Sequence, residues 1–458
     1  MIAAEQVEAT HAAGEKASAG VGQISPAGRC ACAGESVKVA QLRLPVEMRA
    51  FWWATLIGVL LAVVIGWLKY RVGMSIYNWD PLSDLLFGDL MEYRAHYSLL
   101  HTSGFFFSSA AYPFQYPMWN PVAYPPFAVA VMAPLYAFRV PELLYLVVSV
   151  VWVIVGAVWA ARRLMHAGIA ALPAIAFPVT IALASFPIVR MIHEGNIELV
   201  VWMFTALGVW SFWRGKNDAA AVLWGLAAAM KLFPLVLLGM LLPRKKWRAF
   251  AEGIAAFVLA TLWATWWVGP TIGVAWRGSM QNVFGYQGQR MGEWTLRELV
   301  ANHSAINLAK MVAMMTRFPL DHLTLPYFAL GAAILAWAFF GRLWKMPEAN
   351  QLLALSVFMV TFPSISYYHT LVHLYAPLAV LFGVSLEAAR RGVIVQGLKK
   401  TILLFVPLSL AFTVMTFPQV ILFSGLIQAV VLIVLFGCAV TYRFEVKKDE
   451  TPVQRSIA

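Results

Sequence analysis

Apolar runs recur from Ala50 to Val440, and each has about the 17–25 residues a helix needs to cross a bilayer. The first, at about 50–68, reads AFWWATLIGVLLAVVIGWL. Others lie at about 123–138, 142–161, 169–189, 196–213, 219–242, 249–268, 323–341, 351–363, 370–388, 401–417 and 419–441. Two long polar-aromatic segments interrupt them, about 70–122 and 268–322. The pattern predicts an all-α, polytopic integral membrane protein with roughly 11–13 transmembrane helices and interfacial helices in its long outer loops. The run 219–242 carries Lys231 and Pro234 at its middle and basic clusters at both ends. It is expected to be a hairpin of two short helices, a broken segment tolerated where it lines a protein cavity. Strict alternation of crossings fails between 123 and 195, which points to 123–138 as a short or re-entrant run.

Residues 1–45 are rich in Ala, Gly, Ser and Glu and read as a disordered tail. They lack the pattern of a cleaved leader. The membrane domain is then 46–442, with a second tail at 443–458. Arg43 and Arg49 before the first run, and the basic C-terminal tail, place both termini in the cytoplasm and the two long polar segments outside.

Only 12% of residues are charged and 61% are hydrophobic, against about 25% charged in a soluble domain. One large soluble core is excluded by the number of apolar runs. The net charge of +12 resides largely in short clusters between runs: WRGK at 213–216, PRKKWR at 243–248, ARR at 389–391 and VKK at 446–448. That is the positive-inside signature of a membrane protein, and nucleic acid is not an expected partner. The three cysteines, Cys30, Cys32 and Cys438, give no disulfide framework. No Walker loop, Rossmann glycine pattern or nucleophile elbow occurs, which disfavours an ATP-driven pump or a nucleotide-sugar enzyme.

The candidate chemistry lies in the polar segments. FGDLMEYRAHYSLL (87–100) holds Asp89, Glu92, Arg94 and His96 just beyond the first crossing. Asp89 is open to two readings, a proton acceptor for a hydroxyl or a first-turn acid after Gly88. Glu92, one turn on, either shares its face or pairs with Arg94 or His96. RMIHEGNIE (190–198) gathers Arg, His, Glu and Asn at a helix start, with Glu198 on the apolar side. Ionisable groups at that depth are functional candidates. Lys231 is costly in an apolar run and needs a partner, either a phosphate or a buried acid. His369 and His373 stand at i, i+4 after Tyr367 and Tyr368. A metal-ligand spacing is present, but the intervening Glu of zinc proteases is missing. Asn302 and His303 add polar groups to the second outer segment. No dense acidic set suggests a metal, and no cofactor is expected.

In order, these residues resemble the GT-C superfamily of membrane glycosyltransferases, and most closely the polyprenyl-phosphate-mannose-dependent α-mannosyltransferases of glycosyltransferase family 87. The resemblance runs over about 50–390. It is carried by Gly88-Asp89-x-x-x-Tyr93, Tyr124-Pro125-Pro126 with Pro134, Gly195-Asn196, Gly225 to Pro234, Asn302-His303-Ser304 and Ser364-x-Ser366-x-x-His369. Two motifs depart from the family's: Glu194-Gly195-Asn196 where it often has Gly-Gln, and Ser364 to His369 where it has Ser-Pro-x-x-Trp-x-His.

The resemblance implies a GT-C fold and transfer of a sugar, with inversion, from a polyprenyl-phosphate donor to a glycolipid, glycan or protein acceptor. The reaction would take place on the outer face of a bacterial inner membrane. Asp89 takes the position of the general base. Lys231, His369, His303 and Arg290 are the candidate phosphate partners, and Glu92, Tyr93, Tyr124, Asn196 and Tyr368 complete the expected substrate site. The aromatic stretch 112–126 would shape the acceptor and lipid groove. The competing classes are a secondary transporter or flippase and a non-catalytic scaffold. Transporters tend to show repeats and midplane charges, and no repeat is visible.

Overall fold

A computed structural model of the chain describes residues 42–72, 86–107, 124–292, 302–406 and 424–446. Most of both tails, including Cys30 and Cys32, lies outside the described residues, as do parts of both long polar segments. Among the described residues the structure is helical, with an isolated bridge from Leu42 to Ile169 and no strand. The chain is an all-α polytopic membrane protein, as expected. Among the described residues, four helices are long and apolar enough to cross a bilayer alone, or five if a bent pair counts as one span, and four shorter apolar helices accompany them.

Helix α1 (Val46–Val72) holds the first apolar run. Helices α2 (Gly88–Tyr97) and α3 (Gly104–Phe107) follow in the first polar segment. Helix α4 (Pro126–Tyr136) has 11 residues, about 16 Å at 1.5 Å per residue, too short to cross. Tyr124, just before it, shares a hydrogen-bonding partner with Asp89 of α2, and the Arg139 carbonyl, just after it, accepts from Arg94 of α2. The helix in the run 123–138 is thus short and packs alongside α2.

Helix α5 (Pro141–His166) leads to a bent pair, α6 (Ala171–Ala184) and α7 (Phe186–Glu194), which meet at 47°. The bend is local chemistry. Ser185 Oγ accepts from Ile188 N at 3.2 Å, and Pro187 in the first turn of α7 has no N–H to continue α6. Helices α8 (Glu198–Trp213) and α9 (Asn217–Met230) come next.

The run containing Lys231 is a hairpin, as its flanking charges suggested. Pro234 cannot donate to the Met230 carbonyl, so α9 stops; Lys231 is extended at φ −147°, ψ 125°, and Phe233–Leu241 continues as a 3-10 helix. Ala221 and Leu238, on opposite arms, both lie against Gly253 of α10 (Trp247–Val268). The bases of the arms, Lys216–Ala219 and Lys245–Ala249, line one pocket. With 14 residues α9 is about 21 Å long, and with 22 residues α10 is about 33 Å. Lys231 at the hairpin tip is thus carried roughly two-thirds of the way along α10.

The rest of the chain forms α11 (Ile272–Gly292), α12 (Ile306–Met315), α13 (Thr324–Gly341), α14 (Glu348–Thr361), α15 (Tyr375–Arg391), α16 (Gln396–Leu403) and α17 (Ser424–Thr441). A second long 3-10 helix, Tyr368–Leu374, precedes α15. The main buried cluster joins the hairpin to α14 and α15 through Trp224, Leu237, Met240, Leu352, Leu355 and Leu378. Helices α8, α13 and α15 end in Arg214, Arg342 and Arg390–Arg391, so the arginines gather at helix ends. One of these ends is tied in place, as Arg390 at the end of α15 donates to the carbonyls of His166 and Ala167 at the end of α5; elsewhere Arg244 bonds Glu348 at the start of α14.

Small residues let the hairpin lie flush on α10. A Cβ on Gly225 would strike the Gly253 carbonyl, and one on Gly253 would come within 2.6 Å of Leu238 Cδ2. Gly253→Val is expected to cost on the order of 1–3 kcal/mol or more through overpacking. A Cβ on Gly156 of α5 would meet nothing within 4 Å, so Gly156→Val is the control. Thermal unfolding in detergent should show a lower Tm for Gly253→Val and little change for Gly156→Val.

Candidate active site

Interruptions of regular structure at Gly195, Lys231 and Tyr368–Leu374 converge on one group of charges. Helix α7 ends at Gly195, which has φ 66° and ψ 33°. A Cβ there would lie 2.9 Å from Leu90 Cβ, so glycine supplies both the left-handed turn and the room for α2 to lie against it. Phe87 N, just ahead of α2, donates to the His193 carbonyl at 2.6 Å.

This docking brings Asp89 to Asn196. Asn196 Nδ2 donates to Asp89 Oδ2 at 2.5 Å and to Tyr124 Oη at 3.0 Å, while its Oδ1 accepts from Glu198 N at 2.9 Å. Tyr145 Oη donates to the Asn196 carbonyl at 2.9 Å. Asn196 is buried, and every polar group it carries is committed, which fixes its orientation.

Two carboxylates stand on either side of this turn. Glu194 is held by Arg190, one turn back on α7, at 2.7 Å, and by His369, whose Nδ1 lies 2.7 Å from Oε2. Glu198, at 0% exposure, pairs with Lys231 through Oε2 and with His373 through Oε1. His373 Nδ1 meets Thr205 Oγ1 at 3.0 Å. The histidine pair therefore does not converge. On an α-helix residues i and i+4 share a face. At three residues per turn they diverge by about 120°, and each histidine takes its own glutamate. Among the described residues no three His, Cys, Asp or Glu side chains form a set that could hold a metal ion.

Lys231 faces both ways. Its Nζ is paired with Glu198 and lies 5.5 Å from the centre of the Tyr124 ring, whose hydroxyl belongs to the Asn196–Asp89 network. Of the two readings of Lys231, the buried acid is present as its partner. Burial, then the Glu194 charge, pushes the Asp89 carboxyl up to about 6, while His369, the Asn196 hydrogen bond and Lys231 pull in the opposite direction. A carboxylate of that strength accepts a proton near neutral pH, and Lys231 offers positive charge beside it.

A narrow apolar pocket of about 20 Å3 opens on the same turn, bordered by Tyr97, Phe105, Tyr124, Met132, Tyr136 and Gly195. Its rim at α2 is fixed by Arg94, which pairs with Glu142 at 3.3 Å.

The structure brings Asp89, Tyr124, Asn196, Lys231 and His369 together. His303 and Tyr368 stand behind them. His303 Nε2 lies 3.0 Å from Ser366 Oγ and 3.2 Å from Thr370 Oγ1; burial, aided by His369, pushes its imidazole down to about 3, so it is neutral. Asn302 accepts from Ser304 N and Ser366 N at 3.0 Å, tying this loop to the segment that carries His369. The Tyr368 ring packs on Phe186 at 5.1 Å. Glu92 and Tyr93 lie on α2 and Arg290 near the end of α11, but their side chains fall outside the described residues. Sequence reasoning singled out Arg190, Glu194, Glu198 and His373 as candidates without giving them a role in the site, and it did not single out Tyr145. The spacing of Arg190, Glu194 and Glu198 at four-residue steps carried a signal; a lone Tyr145 in an apolar helix carried none.

The model of glycosyltransferase family 87 matches residues 123–366. No curated protein sequence matches the chain. The matched span includes Tyr124, Asn196, Lys231 and His303, begins after Asp89 and ends before His369. The match covers more than half of the 458 residues, and the chain belongs to glycosyltransferase family 87.

Proposed function

We propose that this glycosyltransferase moves a hexosyl group, mannosyl by family resemblance, from a polyprenyl-phosphate sugar to an acceptor hydroxyl, with inversion at the anomeric carbon. The reaction takes place on the outer face of a bacterial cell membrane, with both termini in the cytoplasm. The observation that carries this reading is Asp89: a half-buried carboxyl group oriented by Asn196, raised to about 6, with Lys231 near it and the apolar pocket at Tyr124 and Gly195 close by.

In this mechanism the acceptor hydroxyl gives its proton to Asp89 as its oxygen attacks the anomeric carbon. The bond from that carbon to the phosphate oxygen breaks, and the electron pair leaves with polyprenyl phosphate. The leaving group is already an anion in water, so a strong acid is not required; Lys231 and His369 stabilise the charge that develops on it. Tyr124 and the pocket behind it guide an apolar part of one substrate. Glu92, Tyr93 and Arg290 are assigned to substrate contacts on their sequence positions, and His303 and Tyr368 to support of His369. The acceptor is a glycolipid, glycan or protein hydroxyl.

Purified protein in detergent, given radiolabelled polyprenyl-phosphate mannose and membrane lipid extract, should transfer label. Asp89→Asn should lower the rate about 10²- to 10⁴-fold, the typical contribution of a positioned base. Absence of transfer by the unaltered protein, or equal transfer by Asp89→Asn, rejects the assignment.

The pH profile provides a second check. Asp89 must be ionised to act, so kcat/KM should fall as pH drops through about 6. The Asn196 hydrogen bond favours the ionised form; Asn196→Ala should therefore move this acidic limb to higher pH.

Lys231→Met leaves Glu198 buried and unpaired on that side, a change worth about 3–5 kcal/mol, and should lower Tm in detergent. Lys231→Met with Glu198→Gln should recover much of the Tm but not the transfer rate. Full activity in that double variant would remove Lys231 from the mechanism.

A further inference from the structure

At the end of the hairpin farthest from Lys231, an open pocket of about 530 Å3 is lined by Gly215 to Ala219 and Lys245 to Ala249. Four of its side chains are cationic, Lys216, Lys245, Lys246 and Arg248, and one is acidic, Asp218. Arg248 is engaged by Glu252 at 2.8 Å. The three lysines are exposed and none has a carboxylate within ion-pairing distance among the described residues. The pocket therefore presents a surplus of positive charge around a concave space. Two helices, α9 and α10, also begin here, neither start capped by a side chain, and both direct the positive ends of their dipoles at the same space.

The surroundings indicate what that charge meets. Trp247 is 58% exposed at the first residue of α10, and Trp210 and Trp213 are 40% and 39% exposed at the end of α8. Partly exposed tryptophans at one level mark the depth of lipid headgroups. Beyond them α10 turns Val258, Leu259, Leu262 and Trp263 outward, an apolar flank suited to acyl chains. A basic pocket between helices, at headgroup depth and continuous with an apolar flank, fits an anionic phospholipid.

We propose that this pocket binds the phosphate headgroup of an anionic membrane phospholipid, with its acyl chains along α10. The lipid neutralises like charges at the junction of the two arms and so holds the base of the hairpin whose tip carries Lys231. The basic run at 243–248 then serves as a ligand site as well as a topology signal. This inference does not depend on the transfer reaction, and its test reads binding alone.

The test uses the full chain in neutral detergent, titrated with phosphatidylglycerol, phosphatidylcholine or inorganic phosphate, and read by native mass spectrometry and thermal unfolding. Phosphatidylglycerol should be retained and should raise Tm saturably, whereas the other two should not. Lys245→Gln with Lys246→Gln should weaken retention on the order of tenfold. Lys399→Gln with Lys400→Gln removes the same charge from exposed positions on α16 and should leave retention unchanged. Equal loss in both double variants reduces the effect to net charge and overturns the site. Equal retention of phosphatidylcholine, or the same Tm rise from inorganic phosphate, overturns the lipid assignment.

Discussion

The Lys231–Glu198 ion pair is the interaction on which the architecture rests. A lone lysine placed this deep in an apolar bundle is costly, and so is a fully buried glutamate. Each makes the other tolerable, and His373 satisfies the remaining carboxylate oxygen. The pair also fixes geometry. It joins the tip of the hairpin to the first residue of α8, and it brings the segment after α14 close enough for His373 to reach in. Regular helices supply no such junction, because their backbone groups are satisfied internally and their side chains point sideways. The breaks at Gly195 and Lys231, with the 3-10 segment at 368–374, exist where the chain must deliver charged groups end-on.

The second set of charges, Arg190–Glu194–His369, is built in the same way one turn away, and Asn196 lies between the two. Its side chain has one acceptor and one amino group. The acceptor is committed to the start of α8, so the amino group is left to join Asp89 and Tyr124. Asp89 thereby shares an electrostatic environment with both sets. Desolvation, then proximity to Glu194, raises its proton affinity, while His369, the Asn196 hydrogen bond and Lys231 restrain the rise, giving a carboxyl group near 6 rather than one locked in either state. The membership of the chain in glycosyltransferase family 87 rests on residues 123–366; the attachment of Asp89 and His369 to that core is a matter of geometry.

Much of the site was legible because charge is scarce in this sequence. Asp89, Lys231 and RMIHEGNIE stood out from apolar surroundings, and the cost of burying them made partners obligatory. Pairing was less legible. Glu92 and Arg94 are close in sequence, yet Arg94 reaches Glu142 across to α5. His369 and His373 stand at a spacing that shares a face on an α-helix, but the 3-10 winding separates them. His303 looked equivalent to His369, yet a hydrogen-bonded loop holds it behind as a neutral support.

Composition and periodicity by themselves determined that the chain is a helical membrane protein, that the run around Lys231 doubles back, and that 123–138 is short. These follow from local rules: the length needed to cross a bilayer, the missing N–H of Pro234, and the clustering of arginine and lysine at helix ends. Only the tertiary structure decided which acid meets which base. That choice depends on where the interruptions, far apart in sequence, come to rest against one another, and on the left-handed turn at Gly195 that lets α2 approach. Such contacts are set by packing over 100 or more residues of separation, as for Asp89 with Asn196 at 107 and Glu198 with His373 at 175, and no local pattern encodes them.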